Sequence, residues 1–313
     1  MPLEPIEPFE PVSAETIPED ERWTAQIKWD GVRILTYYDG RECRLYNRKR
    51  RERTFHYPEL AGIRGWCAAS SVILDGEMIA LGTDGKPSFH EIMRRDGIRR
   101  LERVKEAARL VPVTYMVFDI VYRDGRWLDR FSFRERQDIL REVVREGDHV
   151  RIVPSHGDAR ALFEVVRRER MEGIVVKDVE SGYAVGGKDG RWRKIKYYRD
   201  LNAVIGGVTL RGNVVNAVLL GVYDGTGRLR YIGRAGTGRL TREEWRRLTG
   251  RLLPLRERDM PFASRPERPG DALWVRPAVA VRVQYLEWTD AGTLRQPSIQ
   301  AVVDVPPEAC TFP

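Results

Sequence analysis

Short apolar runs rich in β-branched and aromatic residues, separated by polar and turn residues, recur along the first two thirds of the chain and predict β-strands. The predicted strands are Trp23 to Trp29, Arg33 to Tyr38, Arg44 to Asn47, Ser71 to Ala80, Val111 to Tyr122 and Gly173 to Lys177. Asp39-Gly40 and Asp124-Gly125 are turn signals at the ends of two of these strands. We therefore place the start of the folded core near Trp23, after a proline-rich lead.

Three segments between the strands have helical patterns. They are Pro58 to Ala68, Phe133 to Arg145 and Gly157 to Arg170. Asp158 or a neighbour is expected to cap the last helix, because an aspartate oxygen accepts hydrogen bonds from the free N–H groups at a helix start. Helices and strands together predict an α+β fold.

The pattern changes beyond Lys196, where short β runs follow one another with one helix among them. The runs are Ala203 to Leu210, Val215 to Tyr223, Leu229 to Gly233, Ala278 to Glu287 and Ser298 to Val303, and the helix is Thr241 to Leu253. This order fits a partly open, five-stranded barrel of the oligonucleotide-binding type. We predict an acidic, proline-rich lead at 1–22, a larger domain at 23–200 and a barrel at 201–313.

Composition places the chain among globular proteins. Hydrophobic residues make up 42% and charged residues 32% of the 313 positions, which excludes a disordered chain. No apolar run is long enough to span a bilayer, and the lead lacks the basic and apolar regions of a signal peptide. We therefore expect a cytoplasmic protein.

Charge and residue type narrow the chemistry. The net charge of +8 favours a polyanionic partner such as nucleic acid, although many basic proteins bind none. Cys43, Cys67 and Cys310 are odd in number and far apart, which indicates neither a disulfide framework nor a zinc site. The four histidines form no paired metal-ligand spacing either. The chemistry is therefore expected from lysine, arginine, aspartate and glutamate.

Lys28 begins a four-position pattern, Lys-x-Asp-Gly-x-Arg, that ends at Arg33. On its own the pattern also permits a structural interpretation, in which Asp30-Gly31 is a hairpin turn and Lys28 is a solvated residue at a strand end. The rest of the chain must therefore decide between a turn and a reactive lysine.

Further motifs follow in the order found in covalent nucleotidyltransferases. They are Leu74-Asp75-Gly76-Glu77, Val117-Phe118-Asp119, Glu172 to Lys177 and Trp192 to Lys196. With them, the chain most resembles the ATP-dependent ligase module of bacterial ligase D, from about Trp23 to Ala309. Four further segments narrow the resemblance from the superfamily to this module. They are Asn47 to Arg50, Tyr57 to Leu60, Glu287 to Thr289 and Leu294 to Ser298.

The resemblance implies a nucleotidyltransferase (adenylation) domain of antiparallel sheets with flanking helices, followed by an OB-fold barrel. It also implies an ATP-dependent DNA ligase. Lys28 would attack the α-phosphorus of ATP, the AMP would pass to a 5′-phosphate at a nick, and a 3′-hydroxyl would displace it. A lysine nucleophile must first lose its proton, and we expect the neighbouring Lys194 and Lys196 to disfavour the charged form of Lys28.

The same resemblance assigns roles at the nucleotide. Lys194 and Lys196 would neutralise charge at the α-phosphate, where cations supply much of the rate. Glu172 and Glu77 would hold Mg²⁺ or Mn²⁺, with Glu77 otherwise contacting the ribose. Phe118 would stack on adenine, although a phenylalanine in an apolar run is ordinarily core.

The remaining contacts implied by the resemblance concern adenine recognition and DNA. The residues for the nucleotide are Gln26, Ile27 and Arg33, and those for DNA are Arg48, Lys49 and Arg50. Arg48 would hold the 5′-phosphate of the nick through a bidentate contact. A charged run of this kind is also typical of a solvated loop.

The chain departs from the family pattern at three places. Gln26 replaces a glutamate whose carboxylate accepts from the adenine amino group, and an amide could present either its acceptor or its donor. Lys49-Arg50 replaces Asn-Gly. Val302-Val303-Asp304-Val305 replaces Arg-x-Asp-Lys, so the terminal motif lacks both cations. We expect slow loading with AMP, or a substitute cation such as Arg282 or Arg295.

Nicked or broken double-stranded DNA is the expected substrate, with Ku and a separate polymerase module as the partners that the resemblance implies. We expect a monomer that does not contact membranes. Three alternatives stay open: a messenger-RNA capping guanylyltransferase, an RNA ligase, and a catalytically impaired protein that binds nicks or ends.

Overall fold

A computed structural model describes residues 3–236, 238–266, 270–289 and 291–312 of the chain, so that Met1 and Pro2 of the predicted lead lie outside the described residues. The chain divides into two compact units, Met1–Tyr197 and Tyr198–Pro313. Within the described residues, no helix is both long and apolar enough to cross a membrane.

The first unit contains ten strands and four α-helices among its described residues. The strands are β1 (Glu10–Ser13), β2 (Trp23–Ile27), β3 (Val32–Tyr38), β4 (Cys43–Asn47), β5 (Val72–Ala80), β6 (Val113–Arg123), β7 (Arg126–Trp127), β8 (Val150–Ile152), β9 (Gly173–Asp178) and β10 (Lys188–Lys196). The helices are α1 (Phe89–Asp96), α2 (Val104–Leu110), α3 (Phe133–Val143) and α4 (Ala159–Arg168).

These strands form two sheets. One has the order β1-β10-β9-β2, and the other has the order β4-β3-β5-β6-β7 with β8 added beside β6. The pairings are antiparallel as expected, except that β1 pairs with β10 and β8 pairs with β6 in parallel. A large apolar cluster that includes Ile34, Leu74 and Leu140 packs against the second sheet and fixes its register.

The predicted start of the core near Trp23 is wrong. Phe9, inside the predicted lead, has no exposed surface and packs with Tyr183 and Trp192. Its backbone N–H donates to the Tyr183 hydroxyl at 3.1 Å, and β1 follows directly. The segment that begins at Phe9 therefore belongs to the first unit, because the buried Phe9 side chain completes the core of that unit.

The helix predictions differ in outcome. Phe133–Val143 is helical and begins with a capping box of Ser132 and Glu135, and Asp158 caps Ala159–Arg168 as expected. The predicted helix Pro58 to Ala68 is wrong, because this segment forms only two 3₁₀ turns. The hydrophobic pattern of the sequence did not predict helices α1 and α2.

The second unit is a small barrel-like sheet with one α-helix among its described residues. Its strands are β11 (Arg199–Arg211), β12 (Val214–Tyr223), β13 (Leu229–Ala235), β14 (Arg256–Glu257), β15 (Leu273–Val275), β16 (Ala280–Tyr285) and β17 (Ser298–Val303), and its helix is α5 (Arg242–Leu252). The long strand β11 pairs with β12, β15 and β16, which bends the sheet around its apolar core. The five predicted strands and the helix are all present, and β14 and β15 are additional.

Candidate active site

A cavity of about 600 Å³ opens in the first unit between its two sheets. That volume lies within the range of sites for small molecules and cofactors. Its lining includes most of the predicted site residues, namely Gln26, Ile27, Lys28, Arg33, Arg48, Lys49, Glu77, Phe118 and Lys194. Two strands, β2 and β3, and the turn between them supply several of these side chains.

Lys28 follows the last residue of β2, and its backbone N–H donates to Gly173 O at 2.9 Å. Gly31 turns the chain toward β3 at a point where a Cβ atom would lie 2.1 Å from Met78 O. Only glycine fits such a close approach of two backbones. The Asp-Gly pair is therefore a turn, and that turn holds Lys28 at the cavity wall.

Glu172 lies between two of the predicted catalytic lysines. Its Oε2 accepts from Lys28 Nζ at 2.6 Å, and its Oε1 lies 2.9 Å from Lys196 Nζ. Burial alone would raise the pKa of Glu172, but the two ammonium groups outweigh burial and hold this pKa below its ordinary value. The carboxylate is thus charged and fully engaged in this structure.

The surroundings of Lys28 include a carboxylate as well as the two expected lysines. Lys194 and Lys196 do lie near it, and burial together with Lys196, Lys188 and Lys28 lowers the pKa of Lys194. The first contact of Lys28, however, is the carboxylate of Glu172, to which its Nζ donates. Lys28 must leave Glu172 before it can act as a nucleophile.

Glu77 lies on β5, next to the turn that positions Lys28. Burial raises the pKa of its carboxyl to about 8, against the opposing fields of Lys28 and Arg33. Within the described parts of the chain, no group of three or more acidic, histidine or cysteine side chains could hold a metal ion alone. Two carboxylates, Glu77 and Glu172, do match the donor set of a Mg²⁺ ion that shares its coordination with substrate phosphates.

Gln26 is buried on β2, and only 1% of its surface is exposed. Its Nε2 lies within hydrogen-bonding distance of three acceptors, Val153 O at 3.1 Å, Ser155 Oγ at 3.1 Å and Gln137 Oε1 at 3.3 Å. Its Oε1 is buried and has no partner among the described residues. The amide of this cavity-lining residue therefore has one unused acceptor. Ile27, which follows, lines the same wall.

Phe118 lines the cavity and is partly buried on β6. Its ring packs edge-on against Trp192 at 6.1 Å, and the ammonium of Lys177 lies 4.6 Å from its centre. Lys177 also lies 4.0 Å from the Trp192 ring centre, and burial lowers the pKa of Lys177 to about 7. Trp192, the first residue of the last motif, is both buried and part of the cavity lining.

Arg33 is fixed by a carboxylate beneath the cavity. Its Nε and Nη2 donate to the two oxygens of Asp75 at 2.9 and 2.6 Å, and Nη2 also donates to Phe9 O at 2.7 Å. Tyr183 donates to the same carboxylate at 2.7 Å. Although burial opposes it, Asp75 raises the pKa of Arg33, which stays charged at the cavity.

Arg48, the predicted phosphate-binding arginine, contacts an acidic residue of the N-terminal strand. Its Nη1 lies 3.0 Å from Glu10 Oε1 in a partly exposed ion pair. Both residues line the cavity. The guanidinium predicted to meet a DNA phosphate is therefore already held at the cavity mouth by a carboxylate.

Lys49 and Arg50 lie in the turn that follows β4. Asn47 Oδ1 accepts from the backbone N–H of Lys49 at 3.0 Å and of Arg51 at 3.1 Å. Arg50 has a φ of 58°, in the left-handed region that glycine adopts without steric cost. The Asn47 side chain thus maintains a turn in which arginine occupies the position where the resembled family has glycine.

Five buried polar residues at or near the cavity received no role from the sequence, although Asp119 and Lys177 belong to the motifs named there. The other three are Arg136, Gln137 and Tyr183. Arg136 donates to both oxygens of Asp119 at 2.8 and 3.1 Å, and both side chains are fully buried. Charged residues inside apolar strands, such as Asp119 and Lys177, were the available signal, since an isolated buried charge is costly without a partner.

The two arginines considered as substitute cations both have acidic partners in the second unit. Arg282 Nη2 lies 3.3 Å from Asp200 Oδ2, and Arg295 Nη1 lies 2.8 Å from Glu287 Oε1. Both pairs are at least partly exposed, so water competes with each interaction.

Comparison with known families gives two matches. A model described as the ATP dependent DNA ligase domain matches residues 8–196, and one described as the ATP dependent DNA ligase C terminal region matches residues 211–304. The first match begins within the segment that the sequence analysis set aside as a lead.

Whole-protein relatives are longer than this chain. The multifunctional non-homologous end joining protein LigD of Mycolicibacterium smegmatis is 35% identical over 287 residues, which is 89% of this chain and 35% of that protein. LigD of Pseudomonas aeruginosa is 28% identical over 89% of this chain and 33% of its own length. The DNA ligase of Thermococcus fumicolans is 28% identical over 84% of this chain and 47% of its own length.

Solved structures agree in fold. The ligase domain of Mycobacterium tuberculosis LigD is 28% identical with a TM-score of 0.54, and the match covers 98% of each chain. A mycobacterial DNA ligase D in complex with ATP and MES is 29% identical with the same TM-score and coverage. A Lig E DNA ligase, at 17% identity and a TM-score of 0.60, shares the fold alone.

Proposed function

This chain belongs to the ATP-dependent DNA ligase family, and we propose that it seals nicks between a 3′-hydroxyl and a 5′-phosphate through a lysyl-AMP on Lys28. The chain spans 35% of the length of the mycobacterial LigD relative, so double-strand break repair by end joining is part of the proposal. One observation carries it. Lys28 stands at the wall of a nucleotide-sized cavity, in contact with Glu172, which also holds Lys196, and the same wall includes Gln26 with its unused acceptor.

In the first step Lys28 releases Glu172, loses its proton and forms a bond from Nζ to the α-phosphorus of ATP, and pyrophosphate leaves. In the second step a 5′-phosphate oxygen takes AMP from Lys28, whose nitrogen is reprotonated. In the third step the 3′-hydroxyl attacks the 5′-phosphate, and AMP departs. Each step transfers a phosphoryl or nucleotidyl group between two oxygen or nitrogen atoms.

Lys194 and Lys196 would stabilise the charge that develops on the α-phosphate oxygens. Fixed cations in a partly buried site act strongly because little solvent reorganises around them. Lys196 is held by Glu172, and only 14% of its side chain is exposed. Arg33, fixed by Asp75 and partly buried, adds a positive charge at the nucleotide side of the cavity.

Glu172 and Glu77 would hold a divalent metal ion, Mg²⁺ or Mn²⁺, together with nucleotide phosphates. The ion would supply charge neutralisation at the phosphates. Its positive charge would favour the ionised form of Glu77, whose carboxyl is mostly protonated at neutral pH in this structure. Phosphate binding would also give Lys28 and Lys196 an alternative partner to Glu172.

Arg48, Lys49 and Arg50 would contact the DNA backbone around the nick. Arg48 suits a bidentate phosphate contact, while the other two belong to an exposed turn that can follow the backbone. Ku and a polymerase module belong to the proposal only through the likeness to multifunctional end-joining proteins.

We also propose that AMP loading is slow, since Val302 and Val305 stand where the family has cations that orient pyrophosphate. Single-turnover rates on ATP plus nicked DNA should then fall well below rates on pre-adenylated nicks. A substitute cation would be revealed if Arg282→Ala or Arg295→Ala slowed loading but not sealing. Fast AMP loading that neither substitution affects would contradict both the proposed slow loading and the proposed substitute cation.

The central test is intact mass spectrometry after incubation with ATP and Mg²⁺. We expect the wild-type protein and Lys105→Ala, a substitution at an exposed lysine of α2, to gain the mass of AMP, and Lys28→Ala to gain none. An adduct that survives Lys28→Ala would refute the assignment. DNA binding without any adduct would instead indicate an impaired nick-binding protein.

A further inference from the structure

Gln137 lies in the middle of α3 and is only 4% exposed, outside all the motifs that point to the nucleotide. Its Nε2 donates to Phe118 O at 3.0 Å, and its Oε1 accepts from Gln26 Nε2 at 3.3 Å. It therefore connects the backbone of the cavity phenylalanine to the side chain of the cavity glutamine.

Backbone carbonyls at both ends give this connection one direction. Phe118 O can only accept, so the Gln137 amide must present its nitrogen there and its oxygen to Gln26. Val153 O, which also can only accept, lies 3.1 Å from the nitrogen of Gln26. Turning either amide over would place two oxygens face to face at one of these contacts.

The consequence is that the oxygen of Gln26, not its nitrogen, is the atom left without a protein partner on a side chain that lines the cavity. That oxygen is buried without a partner among the described residues, which is costly unless a ligand donor meets it. Adenine carries an amino group at position 6, whereas guanine carries an acceptor oxygen there. A fixed acceptor at this point thus favours adenine and repels guanine.

We propose that Gln137 is a positioning residue that makes the cavity select adenine over guanine by holding the Gln26 amide in one orientation. This inference rests on the proposed function, in which the cavity binds ATP. A carboxylate at position 26 would be an acceptor in either orientation, whereas an amide requires a partner that sets its direction. Gln137 supplies such a partner, beside Val153 O, from a helix that does not line the cavity.

The test compares how fast Lys28 is loaded from ATP, from GTP and from purine riboside triphosphate, which lacks the 6-amino group. Intact mass spectrometry follows wild type, Gln137→Met, Ser155→Ala and the control Asp138→Asn. Asp138 is an exposed neighbour on α3 that pairs with Arg141. Methionine fills the space of Gln137 without its hydrogen bonds, and Ser155→Ala removes one of the three acceptors around Gln26 Nε2.

We expect the wild type and Asp138→Asn to prefer ATP over both analogues, and Gln137→Met to lose about tenfold of that preference, on the scale of a buried hydrogen bond. Ser155→Ala should lose about twofold to threefold, since a hydroxyl can donate as well as accept and therefore constrains the direction of the Gln26 amide less than the Gln137 oxygen does. If Gln137→Met does not fold, Ser155→Ala decides alone.

A purely structural role for Gln137 predicts a different pattern. The rates with all three nucleotides would then fall together, and the preference for ATP would stay at its wild-type value. That result would overturn the inference and leave the proposed function intact. A wild-type protein that is loaded by none of the nucleotides would refute the proposed function itself.

Discussion

Lys28 and Glu172 form an ion pair at 2.6 Å although 144 residues separate them along the chain. The proposed nucleophile is therefore stored as a paired ammonium, with Lys196 on the other oxygen of the same carboxylate. An amine in this contact reacts slowly with electrophiles, because the nitrogen atom that would attack is turned toward the carboxylate.

Glu172→Gln should accordingly make Lys28 react about tenfold faster with an acylating reagent, on the scale of a hydrogen bond between charged groups. Peptide mass spectrometry of the labelled protein without nucleotide measures the rate at Lys28. Glu169→Gln, which removes an exposed carboxylate paired with Lys86, is the matched control. Equal labelling of Lys28 in wild type and Glu172→Gln would show that the ion pair does not restrain it.

Glu10 competes with DNA for Arg48 if Arg48 binds the 5′-phosphate of the nick. The pair is partly exposed and contributes at most about 1 kcal/mol. We expect Glu10→Gln to bind nicked DNA up to about fivefold more tightly at low salt, which that free energy permits, and Arg48→Ala to bind more weakly. Fluorescence anisotropy with a labelled nicked duplex measures both.

The gain in affinity of Glu10→Gln for nicked DNA should shrink at high salt, where exposed charges are screened. Glu7→Gln removes the same charge from the same N-terminal segment and controls for the general effect of net charge. Equal binding by Glu10→Gln and Glu7→Gln would mean that the contact with Arg48 has no specific effect.

Because Lys177 is buried, we expect the free energy of unfolding of the first unit to depend on pH. Burial lowers the pKa of its folded-state ammonium from 10.5 to about 7. Between those values the unfolded chain binds a proton that the folded chain does not, so the stability contributed by this group rises with pH and is lost as pH falls toward 7. Between about pH 7.5 and about pH 9, the free energy of unfolding of the wild type should rise by about 2 kcal/mol relative to that of Lys177→Met.

Urea titrations at the two pH values, with hydrogen exchange in β9 as the local probe of the first unit, measure this difference. Lys105→Met, at an exposed lysine of α2, should follow the wild-type pH profile. Profiles for wild type and Lys177→Met that run parallel would show that Lys177 keeps its proton throughout.

Phe9 tests whether the N-terminal segment is part of the folded unit. It is fully buried, and its carbonyl accepts from Arg33. Phe9→Ala should lower the free energy of unfolding of the first unit by about 3–5 kcal/mol, the usual cost of truncating a buried phenylalanine. Phe55→Ala removes the same atoms from a side chain that is 68% exposed and should have little effect. Similar denaturation midpoints for both variants would contradict this role.

The sequence determined the elements and the motif order. Short apolar runs between turn signals such as Asp-Gly located most strands of the first unit, because residue type and turn chemistry are local properties of the chain. The capping of α4 by Asp158 was found for the same reason. The resemblance brought Lys28, Glu77 and Phe118 to one site, since each lies in a short motif of fixed spacing.

Tertiary structure alone decided which side chains face each other. The contacts of Glu172 with Lys28, Glu10 with Arg48 and Gln137 with Gln26 join different strands, turns and helices. No local spacing rule connects residues that are 111 or 144 positions apart, so the partner of each charge or amide is set by sheet pairing. For the same reason Phe9 looked like part of a proline-rich lead, although a neighbouring strand and two distant aromatic rings bury it.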